Sequence, residues 1–173
     1  MRKKIQYKKK KILCIDDSRL NRAFVQKALI PLDFIVDEAE TGQKGLEMLS
    51  ENDYDLILLD IVMPEMDGFT FLKEFKKIER EDFIPIILMT ALDDLKSKIK
   101  GLTTGADDYL LKPLNEEELI ARVMSLLRLK KANAELFEKN QLIKRELEAA
   151  KKIQQFVIPH DFSSIKYPNV SGR

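Results

Sequence analysis

The stretch that most constrains the fold is the apolar run Leu56–Leu59, which ends at Asp60 and is followed by Ile61–Pro64. Four consecutive apolar residues between polar ones predict a short strand buried on both faces. Such strands are typical of parallel sheets, in which ligands collect at the carboxyl ends of the strands. Asp60 is therefore a candidate reactive group, although an aspartate in this position also serves as a helix cap or turn former.

The rest of the chain alternates between strand and helix patterns. Further strands are predicted at Ile12–Ile15, Phe34–Ala39, Ile84–Met89 and Asp108–Leu111. Helices are predicted at Arg19–Leu29 with Ser18 as the N-cap, from Thr41-Gly42, from about Phe69 to Arg80, from Asp94 to about Leu102, and from an Asn115 cap onward. Strands that alternate with helices predict right-handed crossovers. We therefore expect an α/β fold with a doubly wound, five-stranded parallel sheet of flavodoxin-like order 2-1-3-4-5.

The charge distribution divides the chain into three parts. Residues 1–11 carry seven Lys or Arg and no acid, residues 12–129 carry 14 basic and 24 acidic residues, and residues 130–173 carry nine basic and five acidic residues. We expect residues 1–10 to be a disordered basic arm, and the less favoured alternative is binding to nucleic acid or an anionic membrane. The lone Cys14 lies in an apolar run, so we interpret it as a small buried apolar residue in a protein of a reducing compartment. No apolar stretch is long enough to span a membrane, so we expect a cytoplasmic protein without membrane or nucleic-acid partners.

Polar residues stand at the predicted carboxyl ends of four strands. Asp16 and Asp17 follow the first strand, Asp60 ends the third, Thr90 the fourth and Lys112 the fifth. In the order 2-1-3-4-5 the first and third strands are neighbours, so the three carboxylates share one crevice. Because clustered carboxylates raise one another's pKa, a cation is expected among them. Oxygen ligands of this kind suit Mg²⁺.

The remaining two side chains indicate what chemistry the crevice supports. The hydroxyl of Thr90 and the ammonium of Lys112 could bind the oxygens of a tetrahedral anion built on Asp60. This combination predicts phosphoryl transfer onto an aspartate. Each residue also has a plainer interpretation: Asp17 as a helix cap, Thr90 as a strand end, and Lys112 as an exposed lysine.

These motifs closely resemble the receiver domains of two-component response regulators over roughly residues 11–129. The resemblance is carried by Asp16-Asp17, Asp60–Pro64, Asp67-Gly68, Thr90-Ala91, Gly105–Tyr109 and Lys112-Pro113. It implies that a sensor histidine kinase or a phosphotransfer protein is the partner. A haloacid-type aspartyl-phosphate hydrolase is the enzymatic alternative, but its second acid would fall at Val62. A third possibility is a constitutive scaffold with a silent receiver.

The resemblance also implies a role for each site residue. Asp60 is the phosphoacceptor, Asp17 binds Mg²⁺ directly, Asp16 helps through water, and the backbone carbonyl of Val62 completes the metal site. The side chain of Val62 is apolar, which leaves the lifetime of the phosphoryl group open.

The switch residues follow from the same resemblance. Thr90 is the switch hydroxyl and Tyr109 the aromatic residue whose rotamer follows it. Lys112 is the phosphate partner and precedes a cis Pro113. The readout surface would combine the segment Asp94–Leu102 with the last strand and the last helix.

From Asn115 to Ile158 the chain contains no Gly or Pro, which predicts one long helix. Residues 130–158 are expected to be a coiled-coil linker continuous with the last receiver helix. Buried Asn at a positions favours a parallel dimer, and the alternative is a surface helix that folds back on the receiver. The expected dimer contacts follow a 3-4 spacing: Leu126, Leu129, Asn133, Leu136, Asn140, Ile143 and Leu147.

The segment Ala150–Pro159 resembles the linker that precedes PP2C-type serine/threonine phosphatase domains in certain response regulators. We expect residues 159–173 to begin a truncated effector region, with the effector itself missing. The rival effector is a diguanylate cyclase. His160 has no catalytic or metal-binding neighbours in the sequence, so we interpret it as a surface loop residue.

Overall fold

One parallel sheet organises the computed structural model, which describes residues 9–78, 83–91 and 105–157. The strands are β1 (Lys11–Ile15), β2 (Ile35–Ala39), β3 (Leu56–Asp60), β4 (Ile86–Thr90) and β5 (Asp108–Leu111). The helices are α1 (Arg19–Leu29), α2 (Gly42–Glu51), α3 (Gly68–Phe75) and α4 (Glu116–Val157), and a short 3-10 turn spans Ile30–Leu32. The chain divides into two compact units between Ala134 and Glu135.

The order of the strands is β2-β1-β3-β4-β5, and all neighbouring pairs are parallel. The predicted flavodoxin-like topology is therefore confirmed. Asp60 is level with Met89 of β4, and Thr90 is level with Leu111 of β5. Every residue of β3 and β4 is buried, whereas β2 lies at an edge and is partly exposed. This register brings the carboxyl ends of the strands to one edge of the sheet.

Each face of the sheet has its own apolar core. On one face, α2 and α3 contribute Leu49, Phe71 and Leu72 to a cluster with alternate strand residues. On the other face, the packed residues come from α1 and the first turns of α4: Val25, Ala28, Leu29, Leu119, Val123, Leu126 and Leu127. Full burial of one such large apolar side chain stabilises the fold by about 1.5–3 kcal/mol. The sheet is thus held firmly from both sides, which fixes the strand ends.

Of the four α-helices in the described part of the chain, three begin with a side-chain cap. Thr41 accepts from the N–H of Lys44 at 3.1 Å, and Asp67 accepts from the N–H of Thr70 at 2.7 Å. The predicted Asn115 cap is confirmed, since its Oδ1 accepts from the N–H of Glu118 at 2.9 Å. Each cap pairs a backbone N–H that the helix itself cannot satisfy.

Several predicted details of the element ends differ from the structure. The predicted helix Phe69–Arg80 is wrong at its end, because α3 stops at Phe75 and the N–H groups of Lys77 and Ile78 bond three residues back, to Glu74 and Phe75. Bonds of this spacing tighten and close a last turn. The fourth strand begins at Ile86, after Pro85, rather than at Ile84. Ser18 stands before α1, but its side chain makes no cap bond.

Several predictions concern residues outside the described ranges. The helix Asp94–Leu102, most of the basic arm, and the segment from Ile158 onward all belong to this group. Within the described ranges, no helix combines the length and apolar character needed to cross a bilayer.

The described residues of the second unit, Glu135–Val157, are helical throughout. Large apolar side chains here are more than half exposed: Leu136, Phe137, Leu142, Ile143, Leu147 and Ile153.

Candidate functional site

Three carboxylates meet at the carboxyl ends of β1 and β3. Asp16 and Asp60 are buried, whereas Asp17 is exposed. One oxygen from each lies within 4.8 Å of the others. The chain after β3 also approaches this cluster, since the N–H of Val62 donates to Asp60 Oδ1 at 3.3 Å. The structure thus brings together the three acids that the sequence placed in one crevice.

Lys112 reaches this cluster from the end of β5. Its Nζ lies 2.8 Å from Asp16 Oδ2 and 2.7 Å from Asp60 Oδ2, and its side chain is 15% exposed. The N–H of Lys112 donates to the carbonyl of Thr90 at 2.7 Å, and the following peptide bond, to Pro113, is cis. One ammonium is therefore shared by two buried carboxylates.

The Asp16 carboxylate is held from several directions. Its Oδ1 accepts from the N–H of Ser18 at 2.9 Å, and Asn21 Nδ2 donates to both of its oxygens at 3.1 Å. Together with Lys112, these donors occupy both oxygens. Asp17 differs, because in the part of the chain that the structure describes its carboxylate has no hydrogen-bond or ion-pair partner.

Burial and charge act in opposite directions on the buried pair. Burial raises the pKa of Asp60 above its usual range, the Lys112 ammonium lowers it, and neighbouring Asp16 raises it again, with a net increase. Burial alone would lower the pKa of Lys112, but its hydrogen bonds to Asp16 and Asp60 raise it. Lys112 is accordingly a permanent cation at neutral pH, and one positive charge faces two acids.

The donor set fits a hard divalent cation. The three carboxylates supply only oxygen atoms, and Asp17 presents its oxygens to solvent. Mg²⁺ prefers oxygen ligands and keeps several waters, so a partly open cluster suits it better than a closed cage. A cation here would also offset the negative charge that Lys112 leaves uncompensated.

Thr90 and Tyr109 lie on the strands next to the cluster. Thr90 is 1% exposed at the end of β4, directly beside the Lys112 backbone. Tyr109 lies within β5, level with Leu88, and the Arg122 guanidinium carbon is 5.6 Å from its ring centroid.

Comparison with known proteins agrees with this architecture. The profile of the response regulator receiver domain family matches residues 12–124. The chain belongs to this family.

Individual relatives agree with the family match. The receiver is 39% identical over 118 residues to the transcriptional regulatory protein CusR of Escherichia coli K12, which covers 68% of this chain and 51% of that protein. Among solved structures, chemotaxis protein CheY4 of Vibrio cholerae is 31% identical with a TM-score of 0.64, covering 68% of this chain and 98% of that one. A response regulator/GGDEF domain protein is 28% identical with a TM-score of 0.67, covering 71% and 51%. The chain spans about half the length of the curated relatives it matches.

Sequence reasoning missed three residues around the receiver site. Asn21 holds the Asp16 carboxylate, and Arg22 donates to the carbonyls of Asp16 and Asp17. Arg122 pairs with Asp108 and Glu118 beside Tyr109. Helical spacing was the available signal for Asn21, because it lies in the first turn after the acidic pair and bonds the Asp16 side chain.

The expected dimer residues fall into two groups. Leu126 is 7% exposed and belongs to the receiver core, so it is not available to a second chain. Leu129 is 45% exposed, and the other expected contacts are exposed as well: Asn133, Leu136, Asn140, Ile143 and Leu147. The surface open to a partner therefore begins at Leu129.

Proposed function

We propose that this receiver accepts a phosphoryl group on Asp60 from a sensor histidine kinase or a phosphotransfer protein in the cytoplasm. The observation that supports this most directly is Lys112 Nζ, which lies within 2.8 Å of both Asp16 and Asp60 at the edge where the strands end. A buried carboxylate beside a fixed ammonium and two more acids is the arrangement that phosphoryl transfer needs.

The reaction joins one Asp60 carboxylate oxygen to phosphorus and breaks the bond between phosphorus and the donor. The donor nitrogen leaves with the electron pair of that bond. Asp17, Asp60 and the Val62 carbonyl would hold Mg²⁺, with Asp16 acting through water. When bound, Mg²⁺ supplies positive charge to the phosphoryl oxygens. Lys112 supplies a second positive charge, and its buried surroundings make that charge more effective than in water.

Phosphorylation is proposed to shift the receiver between two states. Hydrogen bonds from Thr90 and Lys112 to the new phosphoryl oxygens would contribute about 3–6 kcal/mol before loop ordering is counted. A shift from a 1:99 to a 99:1 population takes about 5.5 kcal/mol. Tyr109, on the strand beside Thr90, is the residue proposed to report the change.

The test is Mg²⁺-dependent labelling of the protein by a small phosphodonor, measured by intact mass, with beryllofluoride binding measured in parallel. Wild type should be labelled, Asp60→Asn should not, and labelling should need Mg²⁺. Asp33→Asn is the matched control, because Asp33 is exposed with φ 66°, a conformation that Asn tolerates. Equal labelling of wild type and Asp60→Asn would contradict the proposal.

The output is proposed to pass through a parallel coiled-coil dimer to a PP2C-type serine/threonine phosphatase. The support is the exposed apolar stripe from Leu129 to Leu147 and the Ala150–Pro159 sequence, part of which lies outside the described ranges. The test is a phosphopeptide hydrolysis assay on the full-length protein encoded by the gene, with and without beryllofluoride. Absence of hydrolysis in both states would contradict it.

A diguanylate cyclase is the alternative effector. The observation in its favour is the structural relative that combines a matching receiver with a GGDEF domain. The matches to transcriptional regulators cover only about half of those proteins, so their output does not carry over. Formation of a cyclic dinucleotide from GTP by the same gene product would decide for the alternative.

A further inference from the structure

Arg22 makes an unusual set of contacts around the acidic pair. Its Nη1 donates to the carbonyl of Asp16 at 2.7 Å and to the carbonyl of Asp17 at 3.1 Å. Its Nε donates to Glu38 Oε2 at 3.2 Å, and its side chain is only 11% exposed. One guanidinium therefore joins α1, the last residue but one of β2, and the backbone of both acids.

The contacts matter most for Asp17. The side chain of Asp16 is fixed by Ser18, Asn21 and Lys112, but the exposed Asp17 carboxylate has no such partner among the described residues. Its position depends on the backbone from which it projects. Among the described residues, the Arg22 side chain bonds this backbone at the Asp17 carbonyl.

The positive charge of Arg22 beside a cation site would repel the ion that the site would bind, unless a nearby acid offsets it. Glu38 offsets that charge at 3.2 Å. The planar fork of Arg donates from separate nitrogens held at a fixed spacing and so reaches a carboxylate and carbonyls at once, whereas the three donors of Lys sit on one nitrogen. The arrangement thus retains the geometry of the fork while its charge is balanced.

We propose that Arg22, oriented by Glu38, is a positioning residue for the metal: it fixes the Asp16-Asp17 backbone so that the Asp17 carboxylate is placed to bind Mg²⁺. This inference rests on the proposed function and adds a residue outside the set that touches the ion. Partners of this kind typically change metal affinity by about 10-fold to 100-fold when they are removed.

The decisive measurement is the Mg²⁺ dissociation constant, obtained by titrating MgCl₂ into the protein and following backbone amide NMR shifts. Arg22→Lys keeps the charge and loses the fork, so its dissociation constant should rise about 10-fold or more. Arg19→Lys, an exposed arginine on the same helix, should match wild type. At saturating Mg²⁺, the rate of Asp60 labelling in Arg22→Lys should recover, because Asp60 and Lys112 are unchanged.

The possible results separate this inference from the proposed function. A wild-type chain that binds no Mg²⁺ overturns both. Normal wild-type binding with an unchanged dissociation constant in Arg22→Lys overturns the positioning role alone. Labelling that stays depressed at every Mg²⁺ concentration also overturns it, since Arg22 would then act on the fold.

A second variant keeps the test decisive if Arg22→Lys does not give a folded spectrum. Glu38→Ala removes the partner of the Arg22 Nε. The Mg²⁺ dissociation constant of Glu38→Ala should be higher than that of Glu40→Ala, which removes the same charge at an exposed neighbouring position. Equal constants for the two glutamate variants overturn the inference.

Discussion

Arg122 donates through Nη1 to both carboxylate oxygens of Asp108, at 2.7 and 2.8 Å, and so joins α4 to β5. The same guanidinium pairs with Glu118 at 2.7 Å and lies 5.6 Å from the ring centroid of Tyr109. These contacts raise the pKa of Arg122, chiefly through the hydrogen bond to Asp108. The strand that carries the proposed aromatic reporter is thus tied to the helix proposed to carry the output.

Arg122→Met should therefore lower the free energy of unfolding. The side chains of Arg122 and Asp108 are 32% and 23% exposed, so solvent weakens the pair and we expect a loss of about 1 kcal/mol. Arg128 is an exposed arginine less than two turns further along the same helix. Arg128→Met should change the free energy of unfolding by less than about 0.5 kcal/mol. Urea unfolding measures both, and equal losses would contradict a specific role for the Arg122 pair.

Gly68→Ala should damage both stability and phosphorylation. A Cβ at Gly68 would lie 2.5 Å from the carbonyl oxygen of Asp60 and 2.9 Å from Ile61 Cα, so backbone at the phosphoacceptor must move. We expect a loss of about 1–3 kcal/mol and slower labelling of Asp60.

Gly42→Ala is the matched control for that change. A Cβ there would lie 2.9 Å from Met66 Sδ, which belongs to a flexible side chain that can move aside. We expect a change within about 1 kcal/mol and an unchanged labelling rate. If Gly42→Ala slowed labelling as much as Gly68→Ala, the contact with Asp60 would not be the cause.

The sequence was sufficient to predict the sheet, because β1, β3 and β4 are mostly apolar runs with a polar residue at or directly after their carboxyl ends. Asp16, Asp60 and Lys112 were predicted to meet for the same reason, since parallel strands end at one edge. Arg22 could not be found this way: its main acceptors are backbone carbonyls, which every residue possesses and no sequence pattern marks. The burial of Leu126 was missed because the core stripe and the proposed dimer stripe share the same helical spacing.

Asp55 should make stability depend on pH below neutrality. Burial would raise the pKa of Asp55, but the hydrogen bonds from Lys10 Nζ at 2.8 Å and from the N–H of Lys11 at 2.9 Å lower it, with help from Lys130. Because the folded-state pKa lies below the unfolded value of about 3.9, this stabilisation is present above that pH. It is lost as the pH falls through the folded-state pKa.

Urea unfolding at neutral pH and at about pH 3 tests the role of Asp55. Wild type should lose more unfolding free energy on acidification than Asp55→Asn, in which the titrating group is absent. Parallel losses in the two proteins would show that other carboxylates account for the acid sensitivity.

Leu136→Gln should weaken dimerisation without affecting the receiver. Leu136 is 58% exposed in the single chain and lies on the proposed dimer stripe, whereas Leu142, at 57%, lies outside it. Analytical ultracentrifugation over a range of concentrations should show dissociation of Leu136→Gln at concentrations where Leu142→Gln remains dimeric. A wild-type chain that is monomeric throughout, with or without beryllofluoride, would remove the coiled-coil proposal.

Leu126 is enclosed in the receiver core, while Leu129, almost one turn later, is 45% exposed. Leu126 therefore packs within its own chain and is not available to a second one. Formation of the proposed dimer through the exposed stripe from Leu129 to Leu147 would depend on protein concentration by mass action. The copy number of the protein in the cell would then act as an input of its own, separate from the signal carried by the kinase.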